Sequence, residues 1–284
     1  MLALLPLLAA CGGAAEAPED TATPGTCDNA EQKATYVISV LEFTAAEKDG
    51  SAWGFNLDGL VSKSDDPTGC GKADLVDPEG HEGIDNAFVS LMPLIENTEA
   101  AAIRGLLQDA VDAGELLLLI EISGLDDLEN DDCVTVAVSP AIGTPMQGTD
   151  GRMLDSQSFG RDPDAPPAVV SGASVVNGRL VAQGFPLTLS LEILDAELAL
   201  EIPEGAIQVD LAADGTGATG HLGGGFSIDY VMEIVDGNGV DDTLTELLRS
   251  LLPAVADLDG EAGTCQYLSV DLEYEAIPAF FYGE

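Results

Sequence analysis

Near the C-terminal end of the chain, the ten residues YLSVDLEYEA set Leu268, Val270, Leu272 and Tyr274 in alternation with Ser269, Asp271, Glu273 and Glu275. Successive side chains of a strand point to opposite faces, so this stretch predicts a strand with one dry face and one wet face. A dry face has to be covered by another element, so this strand has to belong to a packed sheet. KATYVISVLEFTA, residues 33 to 45, is β-branched and aromatic on both faces and predicts a buried strand at the other end of the chain. ELLLLIEIS (115–123) and CVTVAVS (133–139) predict two more strands.

The second half reads as a meander. Asn177-Gly178 is a two-residue hairpin signal. Leu187, Leu189, Leu191 and Ile193 alternate in one parity and Ala196, Leu198, Leu200 and Ile202 in the other. A strand keeps one parity on one face, so the switch predicts a turn or bulge near Leu194-Asp195. Pro203-Glu204-Gly205 predicts a further turn before a strand at IQVDLA (207–212).

Helical spacing appears in two places. Ile103, Leu106, Leu107, Ala110 and Val111 follow Asn97 as a candidate N-cap and stop at Gly114, with a shorter helix before them kinked at Pro93. In DDTLTELLRSLLPAV, Thr243 and Glu246 have capping-box spacing, and Leu244, Leu247, Leu248, Leu251 and Val255 form an apolar stripe. Helices segregated from strands predict an α+β fold, mainly antiparallel, with two to three helices. The terminal strands are candidate neighbours, which makes residues 31–284 one domain; the alternative boundary lies near residue 130.

Charge narrows the partners. Nine Lys and Arg face 51 Asp and Glu, a net charge of −42, and the acids are scattered rather than gathered in a tail. Nucleic acid is excluded, because phosphate binding needs clustered cations that release counterions. No two basic residues lie closer than nine positions apart, so no linear basic patch exists. Inorganic cations are the natural partners of such a surface.

The chain opens with MLALLPLLAAC, an uncharged apolar run well short of the roughly 20 residues that span a bilayer. Leu8-Ala9-Ala10-Cys11 resembles the lipobox of bacterial lipoproteins, in which an aliphatic residue and two small ones precede the lipid-bearing cysteine. The resemblance covers residues 1–11. It implies removal of residues 1–10, acylation of Cys11 and attachment to a membrane of the cell envelope; Gly12 in place of Asp points to the outer membrane, at its periplasmic face or the cell surface. Residues 11–30 are rich in Gly, Ala, Pro and Thr and read as a flexible tether. Setting Cys11 aside leaves Cys27, Cys70, Cys133 and Cys265, an even set suited to two disulfides in an oxidising compartment. Three pairings are open; Cys27 with Cys265 and Cys70 with Cys133 is the pairing expected here.

No catalytic motif stands out. GxSxG, Walker and HExxH patterns are absent, and His81 and His221 are the two imidazoles. GTGATG (215–220) matches a dinucleotide fingerprint, but an alternating strand precedes it and no helix opens from it, so it reads as a β-turn. Residues 64–86 gather acids between glycines around Cys70. Calcium takes six to eight oxygens from such loops. Asp65, Asp66, Asp77, Glu82, Asp85 and Asn86, with Asn56 and Asp58, form the candidate calcium site, although the EF-hand spacing is missing; the alternative is a solvated loop whose Asp85 caps the next helix. The sequence thus points away from an enzyme and toward a lipid-anchored, acidic envelope protein with a structural or binding role. An exported hydrolase and an apolar-ligand carrier are the alternatives.

Overall fold

The computed structural model describes residues 27, 32–64, 66, 69–95, 103–193, 196–237, 242–261 and 264–282. The elements in order are β1 (Lys33–Phe43), β2 (Leu75–Val76), β3 (Glu82–Ile84), α1 (Phe88–Ile95), α2 (Ile103–Ala113), β4 (Leu117–Ser123), β5 (Asn130–Ile142), β6 (Gln157–Arg161), β7 (Ala168–Val176), β8 (Arg179–Ile193), β9 (Ala196–Leu211), β10 (Ala218–Ser227), α3 (Ile228–Gly237), α4 (Asp242–Val255), β11 (Leu258–Glu261) and β12 (Thr264–Phe281).

Eight of these strands form a closed antiparallel ring in the order β1, β4, β5, β7, β8, β9, β10, β12, with β12 pairing back to β1. Apart from inserted elements, each ring strand pairs with the next one in the chain, which is an up-and-down barrel. The expected α+β class is therefore wrong: among the described residues strands far outnumber helices, and the antiparallel sheet closes on itself as an eight-stranded barrel. Closure is set by the register of β1 on β12, from Tyr36 opposite Pro278 to Phe43 opposite Leu272. The two terminal strands are neighbours, as their patterns suggested.

Register identifies the inner wall. Ile38 faces Ala276, Tyr36 faces Ile120, Ile122 faces Val136, Leu180 faces Val209 and Leu222 faces both Ile207 and Leu272. All of these are buried. The intervening residues include Glu121, Thr135, Arg179, Asp210, Glu273 and Glu275. Charges on the open part of the outer wall are the opposite of the apolar band of a membrane-spanning barrel, and where that wall is apolar, at Val37 opposite Leu119, both residues are buried. Among the described residues no helix is long and apolar enough to cross a membrane.

Side chains fill the bore, the usual outcome for eight strands. Tyr274 illustrates how. It lies opposite Gly220, and its hydroxyl donates to the Gln208 carbonyl of β9 at 2.7 Å. A Cβ on Gly220 would sit 2.8 Å from that hydroxyl, so glycine is what lets the ring lie flat across the wall.

Local expectations fared unevenly. Asn177 and Gly178 both take positive φ in the hairpin joining β7 to β8. Ile193 lies opposite Ala196 where β8 gives way to antiparallel β9, at the parity switch; Leu194-Asp195 lie outside the described residues. Pro203-Glu204-Gly205 does not reverse the chain: β9 runs through it, but the pairing is irregular there, with one extra residue on β8 between Gln183 and Phe185 and one on β9 between Gly205 and Ile202. The helix expected from Asn97 is described from Ile103, Pro93 lies inside α1, and α3 was not anticipated.

Two disulfides are present, with the pairing exchanged: Cys27 joins Cys133 and Cys70 joins Cys265. The register explains this. Lys33 faces Ser123, which faces Thr135, so the chain entering β1 passes the start of β5, where Cys133 lies.

Candidate functional site

The described residues between 44 and 87 form a strap across the outer wall of β10 and β12. Thr44 N donates to Asp271 O at 3.1 Å, and Ala87 N donates to Ser269 Oγ at 2.7 Å. In between, Trp53 stacks on His221 at 5.0 Å between ring centroids, and Phe55 lies against Gly223, where any Cβ would collide with the ring. Cys70–Cys265 bolts the strap to β12.

Beneath the strap, His221 Nδ1 lies 2.8 Å from Asp271 Oδ1, which also accepts from the Thr44 hydroxyl. Burial raises the Asp271 carboxyl, and the His221 and Thr44 contacts draw it back down. A carboxylate on Nδ1 is part of a hydrolytic relay. His221, however, is 8% exposed under Trp53, and among the described residues no hydroxyl or thiol is hydrogen-bonded to its ring. The pair works as a buried fastener for the strap.

The strap also holds the acidic loop, and there the carboxylates serve their own backbone. Asp85 is 3% exposed, and its Oδ2 accepts from Leu57 N at 2.7 Å and Asp58 N at 3.3 Å. It thus staples the strap to itself instead of capping the next helix. Burial, with Asp58 and Asp257 nearby, raises its carboxyl to about 8. Asp257, under the same strap, is raised to about 6 by burial and accepts from Ser269 N at 2.9 Å. Asp77 Oδ1 accepts from the amides of Glu79 and His81, and its Oδ2 lies 2.7 Å from His81 Nδ1. Burial pushes Asp77 up, but these contacts outweigh it and its carboxyl titrates below the ordinary value.

Asn86 donates to Trp53 O at 2.8 Å, Asn56 donates to Leu60 O at 2.8 Å, and Asp58 accepts from Leu60 N at 2.8 Å. Glu82 is exposed on β3. The structure therefore gathers Asn56, Asp58 and Asp85 but not Asp66, Asp77 and Glu82; Asp65 and Cys11 lie outside the described residues. Among the described residues, Cys70, Asp259 and Cys265 are the one set of three His, Cys, Asp or Glu donors within 4.8 Å of one another, and both sulfurs are spent in the disulfide.

A different place has the shape of a binding site. A hollow of about 580 Å³ opens on the outer wall of β1 and β12, between α2 and the turn at Gly151-Arg152-Met153. That volume lies in the range of small-molecule sites. Its existence traces to a bulge: β1 gains a residue at Ser39, between Ile38 and Val40. Gln108 of α2 takes up the exposed backbone there, accepting from Leu41 N at 3.1 Å and donating to Ser39 O at 3.1 Å. The helix is thereby held beside the strand as one wall.

Val40, Met153 and Ile277 supply apolar lining, and Glu42, Asp112, Glu273 and Glu275 supply carboxylates. Arg152 lies 3.6 Å from Glu275. The wet face of β12 already contained Glu273 and Glu275 as a legible pair; Glu42, Asp112 and Arg152 join them only through the register and the bulge. A second hollow, of about 360 Å³, lies between Asn56-Leu57-Asp58-Gly59 and Gln183, Gly184 and Glu204.

Neither a family model, nor a curated protein, nor a solved structure matches this chain.

Proposed function

We propose that this chain is a non-catalytic binding protein of the bacterial cell envelope, tethered by lipid on Cys11, that presents a ligand site on the outside of a rigid barrel. The observation that carries the binding role is the hollow of about 580 Å³, with apolar lining and convergent polar groups. The two disulfides suit an oxidising compartment. The formal net charge of −42 favours solubility and disfavours nucleic acid as a partner. An apolar carrier is disfavoured by a bore packed with Ile207, Leu222 and Tyr274, and a hydrolase by the sealing of His221 under Trp53.

A fragment screen read by methyl NMR tests the site. Shifts clustered on Val40, Met153 and Ile277 are expected; shifts on Ile207 and Leu222 instead would favour a carrier, and no shifts at all would remove the binding role. Intact mass of membrane-extracted protein tests the tether: the expected species begins at an acylated Cys11 and has no free thiol.

A further inference from the structure

Taking this hollow as the ligand site, we propose that its ligand is a small organic polycation, an apolar chain bearing two or more ammonium groups of the polyamine class. On the two strands forming the floor, Glu42 lies directly opposite Glu273 and Val40 opposite Glu275, so three carboxylates share one outward patch. Like charges directly opposed across a sheet are destabilising, and this barrel nevertheless places them there. Asp112 adds a fourth carboxylate from α2, and Arg152 is the one cation among the lining residues, which leaves 1 − 4 = −3. The nearest guanidinium of the chain already leans on this patch, at 3.6 Å from Glu275.

Geometry separates an organic cation from a bare metal ion. Calcium or magnesium needs several oxygens around one point. No three of these four carboxylates come within 4.8 Å of one another, so they cannot close on a point charge. They are instead spread over adjacent strands, with cross-strand neighbours about 5 Å apart at Cβ, the scale of two amines joined by a three-carbon chain. Val40 and Ile277 lie beside them and offer the methylenes a dry surface. A chain with charges at intervals meets both features at once, and each ammonium placed between two carboxylates relieves their repulsion.

The test is titration of the full folded protein with spermidine, read by calorimetry and by methyl shifts at Val40, Met153 and Ile277, in buffer of physiological salt. Saturable binding of one molecule is expected. The pair Glu42→Gln with Glu273→Gln should weaken it at least tenfold, whereas Glu129→Gln with Asp164→Asn, the same charge change on exposed positions outside the hollow, should leave it within twofold. Arg152→Ala should tighten it. Equal weakening by both pairs would mean a diffuse counterion atmosphere and overturn the proposal. Magnesium competing at equal concentration would overturn it too. A neutral apolar compound that shifts the same methyls while spermidine does not would defeat the polycation but leave the hollow as the ligand site; silence from every compound defeats both.

Discussion

Replacing Asp85 with Asn should flatten the pH dependence of stability between pH 4 and pH 8. In the folded chain, the Asp85 carboxyl is raised to about 8 by burial and by Asp58 and Asp257; unfolded, it reverts to the ordinary 3.8. The folded state thus holds a proton that the unfolded state releases, and its contribution to stability is intact below 3.8 and lost as pH rises toward 8. Each unit in that window costs about 1.4 kcal/mol, or about 4 kcal/mol by pH 7. Local relaxation would reduce this to about 2–4 kcal/mol. Asn keeps the neutral form at every pH and can still accept from Leu57 N. The variant should therefore match the parent near pH 4 and exceed it by about 2–4 kcal/mol at pH 7.

Urea unfolding at fixed ionic strength measures the difference, and the chain's one tryptophan, Trp53, reports from the strap itself. Asp257 titrates in both proteins and cancels, because Asp85 is still protonated where Asp257 loses its proton. Parallel pH profiles for parent and variant would refute the reasoning, because they would mean that Asp85 is solvated and the strap does not bury it.

Removing the Cys70–Cys265 bridge, which closes a separation of 195 residues, should cost up to about 5 kcal/mol in thermal or urea unfolding. Gly223→Ala should destabilise by about 1–3 kcal/mol, because the new methyl meets the Phe55 ring, and Trp53 fluorescence should change with it. Calcium should raise the melting temperature no more than magnesium at equal ionic strength, because Asp58, Asp77 and Asp85 already accept from backbone amides; a calcium-specific rise would revive the loop as an ion site.

How much of this was legible depends on the range of the interaction. The Asn177-Gly178 hairpin and the parity switch before Ala196 are written in a few adjacent residues, since turn chemistry and pleat period act locally. The turn wrongly expected at Pro203-Glu204-Gly205 shows the limit. The same residues fit a strand as a local bulge, because an extra residue on β9 at Pro203-Glu204 is offset by one on β8 before Phe185, and that partner strand lies elsewhere in the chain. The acidic loop shows the same limit: in the sequence Asp85 and Asp77 read as unengaged carboxylates, and only the fold brings the Leu57, Glu79 and His81 amides to them.

By itself, the sequence determined the strands at both ends of the chain and the dry face of the last one, the hairpin at Asn177-Gly178, the reversal between Ile193 and Ala196, the even set of body cysteines and the anionic surface, because each depends on residue type and short spacing. Tertiary structure alone decided that the sheet closes into a barrel, which cysteines meet, and that Glu42, Glu273 and Glu275 share a patch beside Arg152. These follow from the register of β1 on β12, a match between residues more than 200 positions apart that no local pattern encodes.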